Sequence, residues 1–95
     1  MLSFPGVKVV SFIPGRVRLR VEKMKGNQDF AERVEKELSE NSALKLVETK
    51  ADSGSVLIKY DRKLLKQEHH ADELLKSLRR LFPGFDTEKL RKYLV

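Results

Sequence analysis

Cysteine is absent from the 95-residue sequence. There is therefore no disulfide framework, no thiolate metal site and no cysteine nucleophile. Long apolar runs are missing too: none exceeds four residues, so no segment reads as a membrane span. The first six residues lack a basic start followed by an apolar stretch, so a secretory signal is not predicted and the expected location is the cytoplasm. What the chain has in quantity is charge. Twenty Lys+Arg against fourteen Asp+Glu give a net charge of +6, with 36% of residues charged and 40% hydrophobic. The expectation is one soluble domain, residues 1–95, with a modest core and a densely ionic surface.

Arg16-Val17-Arg18-Leu19-Arg20-Val21 alternates strictly between charge and apolar, the pattern of a half-buried strand. It is preceded by Val7–Ile13, rich in β-branched and aromatic residues, and by Pro14-Gly15. Proline presets φ for a turn and glycine admits positive φ, so a hairpin is predicted; a bulge within one long bent strand is the competing reading. A hairpin closing on Pro14-Gly15 sets Phe12 opposite Val17 and Val10 opposite Leu19. It also leaves Val7, Val9 and Ser11 on the arginine side.

Asn27 is positioned to cap a helix over residues 27–41, with Phe30, Ala31, Val34 and Leu38 as its apolar stripe. Leu44–Lys50 and Val56–Tyr60 read as a second hairpin around the turn Asp52-Ser53-Gly54-Ser55. A further helix spans 68–82, with Ala71, Leu74, Leu75, Leu78 and Phe82 facing inward, and Pro83-Gly84 ends it. Residues 86–95 read as a short helix capped by Asp86, or as a terminal strand. This order predicts an α+β, ferredoxin-like sandwich: a four-stranded antiparallel sheet with two helices on one face. The N-terminal strand would fill the edge usually taken by a C-terminal one, as in a circular permutation.

With these elements in place, Ile13-Pro14-Gly15-Arg16-Val17-Arg18-Leu19-Arg20-Val21, then a helix, then Ser53-Gly54-Ser55-Val56-Leu57-Ile58-Lys59-Tyr60-Asp61, resembles the heavy-metal-associated (HMA) domain over residues 7–81. It is most similar to the HMA-like branch with a Pro-Gly-Arg motif and no metal-binding cysteines. The resemblance implies the same sandwich and a setting in metal homeostasis or transport. Family members hold Cu(I) and similar soft ions through a CxxC pair between the first strand and first helix. Here that loop is Glu22-Lys23-Met24-Lys25-Gly26-Asn27-Gln28, so no family ligand carries over and no cofactor is implied.

Met24 is the one soft side chain in that loop, and a lone thioether makes a poor site. His69 and His70 are adjacent on the second main helix, about 100° apart on its surface; they fit a solvated face better than a chelate. A weak or intermolecular metal site there would draw on Glu68, Asp72 and Glu73 as oxygen ligands. The unusual feature is the stripe of Arg16, Arg18 and Arg20, about 14 Å long at strand rise. Joined by Lys59 and Lys45, it would form a basic sheet surface, with Val7, Val9, Ile13, Val47 and Leu57 as apolar company and Glu22 as an intramolecular counter-charge. Such charges keep an exposed sheet soluble, and the face suits a protein partner, a second copy of the chain or an anionic ligand. Nucleic acid is the alternative, weakened by the absence of aromatics for base stacking. The Leu44–Lys50 edge offers strand addition as a further mode. Glu32, Glu35, Glu37 and Glu40, mixed with Arg33 and Lys36, read as an ion-paired solvent face. No nucleophile elbow, positioned base or phosphate-binding glycine loop is present, and the chain is not expected to be an enzyme.

Overall fold

The computed structural model describes residues 3, 4, 6–84 and 86–94. Five strands, β1 (Ser3–Phe4), β2 (Val7–Ile13), β3 (Arg16–Val21), β4 (Leu44–Lys50) and β5 (Ser55–Tyr60), form one sheet in the order β1-β2-β3-β5-β4. Every neighbouring pair is antiparallel. β5 lies between β3 and β4, which therefore run parallel to each other. Joining them takes a crossover, supplied by helix α1 (Gln28–Ser39). A one-turn helix α2 (Arg62–Leu65), the main helix α3 (Glu68–Leu81) and the terminal helix α4 (Thr87–Leu94) complete the chain. The predicted four-stranded ferredoxin-like sandwich is present, extended at one edge by the two-residue β1. Residues 87–94 take the helical alternative.

Local chemistry accounts for each element. The β2–β3 hairpin closes on Pro14-Gly15, with Gly15 at φ +89°, the conformation that a type II turn requires at that position. Asn27 caps α1 through its Oδ1, which accepts from Phe30 N at 3.1 Å. Asp86 does the same for α4 by accepting from Lys89 N. Phe30, Ala31, Val34 and Leu38 of α1 and Leu74, Leu75, Leu78 and Leu81 of α3 are buried against Val17, Leu19, Val21, Val56, Ile58 and Tyr60 of the central strands. Phe30 meets Phe82 edge-on, with centroids 6.1 Å apart. The buried Asn41 joins the two helices: its Nδ2 donates to the His70 carbonyl, and its Oδ1 accepts from Ala43 N. Leu90 of α4 is buried, and Arg91 bonds Asp72 of α3.

The phase of β2 departs from expectation. A register shift between Val9 and Ser11 pairs Val9, rather than Val10, with Leu19, and pairs Val7 with Val21. Val7 and Val9 therefore enter the core, while Phe12 still meets Val17. One bulged residue lets both apolar sets, Val7/Val9 and Phe12, face inward, which strict alternation forbids. Val47, placed among the apolar company of the arginines by sequence, is likewise buried against the helices.

Asp61 caps α2, accepting from Lys63 N at 2.9 Å and Leu64 N at 3.1 Å. The Leu64 N–H bond does most to hold its carboxyl below the ordinary carboxylate range. Partial desolvation opposes this, while the Lys63 N–H and the charges of Lys45 and Lys63 add to the lowering. A depressed folded-state value contributes stability that is present above the unfolded carboxylate range and lost as pH falls through the folded value, here below about pH 4. Asparagine keeps the cap but not the titration. Wild type is therefore expected to lose more stability between pH 7 and pH 3 than Asp61→Asn. Urea midpoints at the two pH values measure this, and parallel losses would refute it.

Candidate functional site

The helices cover one face of the sheet and leave the other open. Strand register places the side chains on that open face in three cross-strand rows. Ile13, Arg16, Lys59 and Leu46 form the first; Ser11, Arg18, Leu57 and Glu48 the second; Lys8, Arg20, Ser55 and Lys50 the third. Six cations thus share the surface with one carboxylate, and Leu57 separates Glu48 from Arg18. Arg16 and Lys59 are directly opposite each other on the two central strands. Like charges in that position cost stability. None of the six cations makes an ion pair with a described carboxylate, Glu22 included; the two ion pairs among the described residues are Arg80–Glu37 and Arg91–Asp72.

Apolar side chains complete this face. Ile13 is 55% exposed and Leu46 38%, the two large hydrophobics left open among the described residues, and they end the same row. Leu57 is half-buried at the centre. Ile13 and Leu57 thus accompany the arginines as expected, whereas Val7, Val9 and Val47 do not. Lys59 joins the stripe, but Lys45 falls in a second bulge, between Leu44 and Leu46, outside the pairing. Sequence reasoning missed Lys8 and Lys50. The signal for Lys8 was available: Val7-Lys8-Val9 alternates out of phase with Phe12, which itself demands a bulge. The second bulge lies in the edge strand β4, which also carries Lys45, Glu48 and Lys50 along its length, features that blunt a sheet edge against strand addition. The face is the better-equipped surface.

The loop after β3 is closed by backbone hydrogen bonds, two within it and one to the β4–β5 loop. Glu22–Met24 forms a 3₁₀ turn, with Lys25 N bonded to Glu22 O, Gly26 N to Ala51 O and Asn27 N to Met24 O. Met24 is 0% exposed and belongs to the core, while Lys23 extends over the Phe30 ring at 5.3 Å. At the start of α3 the rings of His69 and His70 lie 4.0 Å apart, tilted by 38°. His69 is exposed; His70 is half-buried, with Nδ1 unpartnered among the described residues and its carbonyl engaged by Asn41. Asp72 is committed to Arg91. No group of three or more His, Asp or Glu side chains comes together among the described residues. In α1, Glu37 pairs across the helix interface with Arg80 at 2.9 Å rather than along its own helix.

The profile of heavy metal associated domain 2 matches residues 1–81. The chain belongs to this family. Comparison with curated proteins and with solved structures gave no match. The family's description implies a heavy metal, and the residues present here do not fit one: the chain has no cysteine, and the one sulfur of the candidate loop is sealed in the core. No helix among the described residues is long and apolar enough to cross a membrane.

Proposed function

We propose that this member of the heavy metal associated domain 2 family is a non-enzymatic interaction module of metal homeostasis or transport, working in the cytoplasm. It docks an acidic surface of a protein partner against its open sheet face. The observation that carries the reading is the central Arg16–Lys59 pair, flanked by Arg18 and Arg20 and without an ion-pair partner among the described residues. An arrangement that costs stability in the free protein is relieved when carboxylates from a partner replace water over it, and Leu57, Ile13 and Leu46 supply apolar contact beside the charges. The family assignment and the cysteine-free loop favour a role through contact rather than through a carried ion.

The same face keeps nucleic acid as the second reading, because six cations suit a phosphate backbone. Its residues are arginine, lysine, serine, glutamate and aliphatics, with no aromatic to stack a base. Titrating the protein with a Glu/Asp-rich peptide containing two leucines, and with a single-stranded DNA of equal charge, separates the two. The peptide is expected to move the amides of Arg16, Arg18, Arg20, Leu57 and Lys59. Arg16→Glu/Arg18→Glu is expected to weaken it by at least about tenfold. Tighter binding of the DNA, falling steeply with salt, would replace the protein reading by the nucleic-acid one.

A further inference from the structure

A second basic site lies beyond the turn end of the open face. A cavity of about 570 Å³ opens there, beside Gly15 and the buried Tyr60. Backbone bonds fix its floor: Tyr60 N donates to Gly15 O at 3.0 Å and Asp61 N to Ala43 O at 2.8 Å, tying the hairpin turn, the end of β5 and the segment before β4 together. Lys45, Arg62, Lys63 and Lys66 surround this floor.

The four cations arrive by separate structural devices. Lys45 is the extra residue of the β4 bulge, so it leaves the open-face rows and lines the cavity instead. Arg62, Lys63 and Lys66 follow β5 immediately because Asp61 turns the chain into α2. The stem of Arg62 lies over Gly15, with Cγ and Cδ 3.8 Å from where a Cβ would stand. Asp61 is the one carboxylate in the lining, and its Oδ1 already accepts two backbone N–H groups. Those N–H groups are thereby spent, and an incoming anion would be held by the four side chains.

We infer that this cavity binds a phosphorylated small molecule through Lys45, Arg62, Lys63 and Lys66. Four cations against one committed carboxylate set the sign of the ligand. The volume, within the range of small-molecule sites, exceeds what a single monatomic anion fills and suits two or more linked phosphate groups. The Asp61 carboxyl registers the same field, since Lys45 and Lys63 both contribute to its lowering. This site is separate from the sheet-face reading, and neither depends on the other.

Amide NMR of the full chain, titrated with inorganic pyrophosphate and, at matched ionic strength, with sulfate, tests it. Saturable shifts are expected at Gly15, Lys45, Arg62 and Lys63, with pyrophosphate favoured over sulfate. Lys45→Ala and Lys63→Ala, both exposed positions, are each expected to weaken binding by about tenfold, the value of one charge-assisted contact. Arg18→Glu is expected to leave it unchanged. Shifts that do not saturate, that centre on Arg16, Arg18 and Arg20, or that are equal for sulfate would overturn the inference.

Discussion

Replacing Gly54 with alanine is expected to destabilise the fold by about 2–4 kcal/mol, a fall in melting midpoint of at least about 10 °C for a domain of this size. Two costs combine. Gly54 sits at φ +73°, where any other L-residue is strained. In addition, a Cβ built there would overlap the carbonyl oxygen of Val21, which is backbone and cannot swing aside. The same two residues share a hydrogen bond, Val21 N to Gly54 O at 2.7 Å, so moving one chain away from the other breaks the tie between the β4–β5 loop and the end of β3. Gly26 provides the control. Its φ is +74°, but nothing lies within 4 Å of its would-be Cβ, so Gly26→Ala registers conformational strain alone, about 1 kcal/mol. Thermal melts of the two variants side by side measure the overlap as the difference between them. Equal midpoints would show that the Val21–Gly54 approach does not constrain this loop.

The second large effect is expected at Met24. Its side chain is fully buried, so Met24→Ala removes core volume and is expected to cost about 2–5 kcal/mol. Met24→Leu keeps the volume and is expected to stay within about 1.5 kcal/mol of wild type. The pair discriminates packing from ligation, because leucine replaces a thioether as a filler but not as a soft donor. Urea denaturation gives the stability series, and equilibrium dialysis against Cu(I) gives the metal arm, in which Met24→Leu is expected to match wild type. A Cu(I) content that drops in Met24→Leu while stability holds would restore Met24 as a ligand.

Met24 also shows how family pattern and packing diverge. By position it occupies the loop that carries the family's metal cysteines, and its sulfur makes it the natural suspect. Its burial is a matter of geometry: the 3₁₀ turn after β3 aims it inward, and the bond from Asn27 N to Met24 O holds that turn against the start of α1. His69 and His70 make the converse case. Their adjacency in sequence argued against a shared ion, and in the fold one of them is partly drawn into the α1–α3 junction through Asn41.

Much of the architecture was legible in the sequence because it depends on short-range periodicity. The strict alternation of residues 16–21 places Val17, Leu19 and Val21 in the core and three arginines outside, as β3 shows. The helical stripes of α1 and α3, the caps at Asn27 and Asp86 and the turn at Pro14-Gly15 are equally local. Tertiary structure decided where β2 and β4 change phase, although the clash of Val7-Lys8-Val9 with Phe12 already asked for a bulge in β2. The bulges at Val10 and Lys45 arise from pairing with β3 and β5, and each shifts the side chains beyond it to the opposite face. That shift buries Val7 and Val9, brings Lys8 up beside Arg20 and sends Lys45 to the cavity near Gly15. The places of Lys8 and Lys45 in the two basic surfaces therefore rest on the register of each bulged strand against its hairpin partner, whereas Arg16, Arg18, Arg20, Arg62 and Lys63 follow from local sequence.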